Sequence, residues 1–171
     1  MGITVDMFCK MYKANSKAKD DTFEKFMEKH ITTKYVDYMT KCVHCDSIVK
    51  ASCHVKDGDR EFIKINSTTR YLFFVMKIIQ LYTDIEFKDE DVIAAYDKLN
   101  EIGAIGSIIA SIPESEYSEF STLLNMKVDD FRDNEYSLEA LLYNFKESFT
   151  LSEEIVNEAI KEITKQVEEN K

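Results

Sequence analysis

Glycine and proline are scarce in this chain, with four of the first and one of the second in 171 residues. Sandwiches and barrels need many tight turns, which these two residues build, so their scarcity argues for long helices. Linkers rich in Gly, Ser or Pro are missing too, and the length fits one domain. The longest strongly apolar stretch is broken by Lys77 and falls short of the roughly 20 residues that cross a bilayer. No secretory leader precedes Asp6, and that Asp stands where a myristoylation signal wants Ser or Thr. The expectation is a soluble intracellular chain whose four cysteines stay reduced.

Catalytic signatures are equally lacking. There is no Gly-x-Ser-x-Gly elbow, and the three histidines sit in no pattern that marks a base beside a nucleophile. A Cys9/His30 or Cys45/His44 pairing is conceivable, but nothing in the spacing selects it. Gly103-Ala-Ile-Gly106 lacks the third glycine and the Lys-Ser/Thr of a phosphate loop. The carboxylates are spread along helical faces without the spacing of a di-metal bundle. No catalytic residue, cofactor or small-molecule substrate is expected. Lys10, Lys13, Lys17 and Lys19 could touch phosphates, yet they are interleaved with acids in a chain of net charge −10, which argues against nucleic acid.

What the chain does carry is a charge asymmetry. Residues 1–80 hold 14 Lys+Arg against 10 Asp+Glu, a net of +4; residues 81–171 hold 8 against 22, a net of −14. Such a lopsided field orients a charged partner, or a second copy, before contact.

Hydrophobic spacing predicts a mostly α fold: a compact helical domain over 1–150 with a hairpin inserted, and an amphipathic C-terminal helix over 151–171, docked or projecting. Val5, Phe8, Cys9 and Tyr12 mark a first helix, and Phe23, Phe26 and Met27 a second. A third, over about 34–46, would bury Val36, Met39 and Val43. Val, Ile and Phe enrichment in 47–56 and 60–66, around Asp57-Gly58-Asp59, predicts a β-hairpin over about 47–66. Residues 67–84, opened by Ser67, are apolar nearly all round and should form the buried central helix. An acid-fronted helix over 89–100 follows, then a compact piece over 102–112 in which Gly103 and Gly106 permit close packing. Pro113 opens a helix carrying Tyr117, Phe120, Leu123 and Leu124 inward. Helices over 137–149 and 152–169, each with Ser at its start, complete the pattern.

One cluster has metal-ligand chemistry. Cys42, Cys45, Cys53 and His54 lie close in sequence, and zinc takes four thiolate or imidazole ligands. A site there requires the hairpin to return Cys53 or His54 beside Cys42 and Cys45. The competing and preferred reading is buried apolar cysteines with no metal, and a small zinc-binding interaction module is kept only as a secondary alternative.

Several segments, read together, resemble a known group. Ile31-Thr-Thr-Lys-Tyr-Val-Asp-Tyr38, Asn66-Ser67 with Tyr71-Leu-Phe-Phe74, Leu81-Tyr-Thr-Asp-Ile85, Tyr96-Asp-Lys-Leu99, 112–120 and 133–137 are similar, in collinear order, to small morphogenesis-region proteins of tailed bacteriophages and prophages of low-GC Gram-positive bacteria. The resemblance implies a non-enzymatic virion assembly protein acting by protein–protein interaction, as a tail assembly chaperone or as a head–tail or tail component. It implies phage structural proteins or self-association as partners, no nucleic acid or membrane, and a location in the host bacterial cytoplasm or the virion. In that role Glu153, Glu154, Glu158 and Glu162 are the expected contact charges. The alternative from another class is a phage anti-defence protein that binds and inhibits a host immune factor.

Overall fold

The computed structural model describes residues 2–18, 21–57, 60–63, 65–87, 91–136, 161 and 165, with side chains of 54–63 and 135–136 left aside. Among them it is mostly helical, with seven helices and two small two-stranded sheets. The chain clusters into two compact units, 1–127 and 128–171. The predicted helices over 137–149 and 152–169, and with them Glu153, Glu154, Glu158 and Glu162, lie outside the described residues. No described helix is long and apolar enough to cross a membrane.

The first unit opens with strand β1 (Ile3–Thr4), whose Thr4 then caps helix α1 (Val5–Asn15) by accepting the Met7 N–H at 3.3 Å. Val5, Phe8 and Tyr12 recur at helical spacing and are buried. Helix α2 (Thr22–His30) buries Phe26, Met27 and, unforeseen, His30. Phe8, Tyr12, Phe23 and Phe26 meet in one aromatic cluster that joins α1 to α2, its cross-helix pairs tilted or edge-on, with Phe8 and Phe26 centroids 5.5 Å apart.

Helix α3 corrects the reading of the third segment. It runs Tyr38–Cys53, so residues 47–53, expected as the first arm of the hairpin, are helical. The hairpin is shorter: β2 (His54–Asp57) pairs antiparallel with β3 (Arg60–Ile63), His54 opposite Ile63. Ile48 and Val49 look like strand residues locally, but with Lys41, Cys45, Ser52 and Cys53 they complete a buried stripe at helical spacing. Ser52 removes its own burial cost by donating its hydroxyl to the Ile48 carbonyl, one turn back, at 2.7 Å.

The central helix α4 (Ser67–Tyr82) is as expected, burying Phe74, Val75, Met76, Ile78, Ile79 and Tyr82. Its cap is Asn66 and not Ser67: the Asn66 carboxamide accepts from the Thr69 N–H at 3.1 Å. After α4, strand β4 (Ile85–Glu86) pairs in parallel with β1, Ile3 opposite Ile85. Two-residue strands leave no period-2 signature, so this sheet was invisible in sequence.

Helix α5 (Val92–Glu101), capped by Asp91, leads through Gly103 into α6 (Ala104–Ser111). Gly103 has φ +72°, a conformation that strains any residue with a Cβ. Nothing lies near a Cβ built on Gly103 or Gly106, so neither glycine serves the close packing expected of it. Helix α7 (Glu114–Tyr136) follows Pro113 and carries Phe120 and Leu124 inward; Tyr117 and Leu123 are half-buried. In the first unit, α4 packs against α3, α5 and α6.

Candidate functional site

The chemistry of the first unit concentrates around α3. On its inner face Lys41 is wholly buried, an arrangement that requires compensating charge. Glu116 supplies it, with one carboxylate oxygen 3.0 Å from the ammonium, and Glu119 closes on the other side. That same Glu116 oxygen accepts the Tyr82 hydroxyl at 2.8 Å and the Val36 N–H at 3.0 Å. Three donors on one oxygen tie α7, α4 and the segment leading into α3 to a single point. Burial alone would lower the Lys41 pKa, but the Glu119 and Glu116 carboxylates outweigh it and hold it above its ordinary value. Burial would raise Glu116; the Val36 N–H, Lys41 and Tyr82 together hold it below the ordinary carboxylate value. Tyr82 is pushed up, first by burial and then by Glu116.

Further along, the Cys45 thiol approaches the Phe120 carbonyl at 4.0 Å and Asp46 pairs with Lys127 at 2.9 Å. Residue numbers thus rise together on the two helices, so α3 and α7 run side by side in the same direction.

The approach to α3 and the outer side of its first turns are apolar, whereas Asp46, Ser47 and Lys50 are exposed further along it. Tyr35 is 68% exposed, Tyr38 56%, Met39 65% and Val43 61%. Met39 and Val43 were expected inside with Val36; of the three only Val36 is buried, and it precedes the helix. The reason is Lys41. A lysine at a core position reads as a surface residue in sequence, which rotates the inferred stripe by about 100° per residue of slip. Only the carboxylates of α7, more than seventy residues away, reveal that Lys41 faces in. Its ammonium also lies 5.5 Å from the Tyr35 ring centroid, a cation–π contact that holds the exposed ring over the buried charge. Asp37 fixes the start of α3 by accepting the Thr40 N–H at 2.9 Å. The exposed face is therefore held by hydrogen bonds at its base.

The proposed zinc ligands are not brought together. Cys42, Cys45 and Cys53 share one helix, whose rise of about 1.5 Å per residue separates Cys45 from Cys53 by about 12 Å. Cys53 cannot meet Cys42 and Cys45 around one ion, because the helix continues where a hairpin return was required. The His54 side chain is outside the described set. Among the described residues no three His, Cys, Asp or Glu side chains are placed to hold a metal. Burial pushes the Cys45 thiol up to about 12, so it is a poor nucleophile.

A second polar pair joins the end of α2 to the residue before β4, with His30 buried and Asp84 half-buried. His30 Nδ1 lies 2.9 Å from Asp84 Oδ1, and since a carboxylate only accepts, the ring nitrogen donates. Nε2 is buried with no hydrogen-bond partner among the described residues, while the ring lies tilted against Phe26 with centroids 4.7 Å apart. His30 follows Phe26 by four residues, a spacing that could have placed it in the core. The conceivable Cys9/His30 pairing is not formed: the Cys9 thiol donates to the Lys98 carbonyl at 3.8 Å.

Comparison with protein-family models, with curated proteins and with solved structures gives no match for this chain.

Proposed function

We propose that this protein is a non-enzymatic assembly factor of tailed-phage virions, a tail assembly chaperone or a head–tail or tail component, acting through protein–protein contact at the outer face of α3. The observation that carries the reading is the exposure of Tyr35, just before α3, and of Tyr38, Met39 and Val43 on its first turns, with the helix anchored from within. Contiguous apolar groups left in water cost roughly 25 cal/mol per Å², and such patches mark contact sites. Tyrosine and methionine suit that use: the rings give large area for little lost freedom, and the thioether adapts to its partner. The phage setting of this reading comes from the resemblance read in the sequence at 31–38, 66–67 with 71–74, 81–85, 96–99, 112–120 and 133–137.

The test is mass spectrometry of what co-purifies with the tagged chain from phage-producing cells, with purified particles probed in parallel. Recovery with tail proteins but absence from particles is the expected result for a chaperone, and presence in particles for a connector or tail component. A host defence protein as sole partner would overturn the reading. Val43→Asp is expected to reduce recovery of the true partner while leaving the chain folded.

A further inference from the structure

The apolar face at the start of α3 sits over a charged node. Lys41 is flanked by two carboxylates, Glu116 and Glu119, so the node carries one negative charge in excess. Glu116 is buried and fully engaged, whereas Glu119 is half-exposed. Both exposed tyrosines adjoin this node. The Tyr35 ring lies over the Lys41 ammonium, and the Tyr38 phenol, raised first by its hydrogen bond with Cys42, lies within electrostatic reach of Lys127 and Glu119. Asp37, between the two tyrosines in sequence, is exposed; its bonds with Thr40 hold the carboxyl below its ordinary value, so it stays charged.

The cations nearest this face are engaged or set apart. Lys127 pairs with Asp46 at 2.9 Å. Lys34 lines a groove along α2 with Glu24 and Glu28. Lys50 follows Val43 by seven residues, about 10 Å along the helix. What remains is a pair of exposed aromatic rings beside excess negative charge, with Met39 and Val43 next to them. Ring faces and carboxylates attract the same group, a cation. Arginine suits such a place better than lysine, because its plane stacks on a ring while its N–H groups donate to a carboxylate.

We propose that this face takes a polypeptide segment in which an arginine lies beside apolar side chains, the guanidinium seated at Tyr35, Asp37, Tyr38 and Glu119 and the apolar groups on Met39 and Val43. The inference rests on the α3 face being the contact surface and names the chemistry of what it contacts. Aromatic rings and arginine are where contact energy concentrates in interfaces, with near-neutral contacts around them.

The experiment is selection of short random peptides on the purified full chain, followed by titration of the recovered peptides by fluorescence anisotropy. They are expected to share an arginine close to Leu, Ile, Phe or Met and to bind more weakly as salt rises. Tyr38→Leu keeps the apolar area and removes the ring's quadrupole; it is expected to weaken binding roughly two- to five-fold, as is Glu119→Gln. Met39→Ser with Val43→Ser is expected to weaken it roughly tenfold. Circular dichroism confirms that each variant is folded, and Tyr35→Leu replaces Glu119→Gln should loss of that carboxylate unfold the chain. Recovery of acidic or uncharged peptides, recovery of none, or binding that Tyr38→Leu and Glu119→Gln both leave unchanged would each overturn the proposal. So would self-association of the chain through this face, seen as concentration-dependent sedimentation that Val43→Ser abolishes. The co-purification test stands apart: a phage structural partner lost on Val43→Asp upholds the assembly reading even where the selected peptides carry no cation.

Discussion

Glu116 is the residue on which the first unit converges. It is buried, and its removal leaves the Lys41 ammonium, the Tyr82 hydroxyl and the Val36 N–H short of an acceptor. Breaking a buried pair from one side costs roughly 3–5 kcal/mol, whereas a half-exposed partner contributes about 1 kcal/mol or less. Glu116→Ala is therefore expected to lower unfolding stability in urea several-fold more than Glu119→Ala, whose side chain is 48% exposed. The pH dependence follows from the shifts. A carboxyl held below its ordinary 4.5 stabilises the fold above that value, and this contribution is lost as pH falls through the folded pKa. Lys41 and Tyr82, both raised, contribute below their ordinary values and lose that contribution as pH rises past them. The acid limb of a urea-midpoint profile should thus flatten in Glu116→Gln, and the alkaline limb should flatten in Tyr82→Phe.

At the scale of the element, α3 is where sequence and structure part, and its register can be measured. With Ile48 1% exposed and Val43 at the surface, Ile48→Ala is expected to cost roughly 2–5 kcal/mol and Val43→Asp within about 0.5 kcal/mol. Equal or reversed costs in chemical denaturation would restore the stripe read from sequence. The α5–α6 junction offers a second measurement. At φ +72° an added Cβ strains the backbone, so Gly103→Ala is expected to destabilise by about 1–2 kcal/mol. Gly106, inside α6 with open space around it, should accept Ala and gain about 0.5–1 kcal/mol in thermal or urea unfolding. Both glycines read alike in sequence; the backbone angle at the junction separates them.

For the first unit as a whole, stability depends on contacts between distant segments. The chain start pairs with β4, the Ile3 N–H donating to the Asp84 carbonyl at 2.8 Å. The Thr32 N–H donates to Tyr82 at 2.9 Å, Ile31 bridges to Thr83, and His30 holds Asp84. These bonds gather the amino terminus, the end of α2 and the end of α4 into one knot. Native-state hydrogen exchange is expected to show the Ile3 and Thr32 amides protected nearly as well as those of α4, although neither lies inside a helix. Fast exchange at both, with α4 protected, would mean that the knot opens independently of the core.

The sequence by itself determined the helical class, the buried centre at 67–82 and the inner faces of α1 and α4, because each rests on apolar periodicity within one segment. Scarcity of Gly and Pro pointed the same way for the same local reason. Only the tertiary structure decided the register of α3, the burial of Lys41 and His30, and the parallel pairing of β1 with β4. Each of those depends on a partner dozens of residues away: a carboxylate on α7, Asp84 after α4, a two-residue strand too short to carry a pattern. A buried charge is polar in any local reading, and what allows it inside is the opposite charge that folding brings to it. For that reason the outer face of α3 could be read from the sequence as core, and found at the surface only once Glu116 and Glu119 were in place.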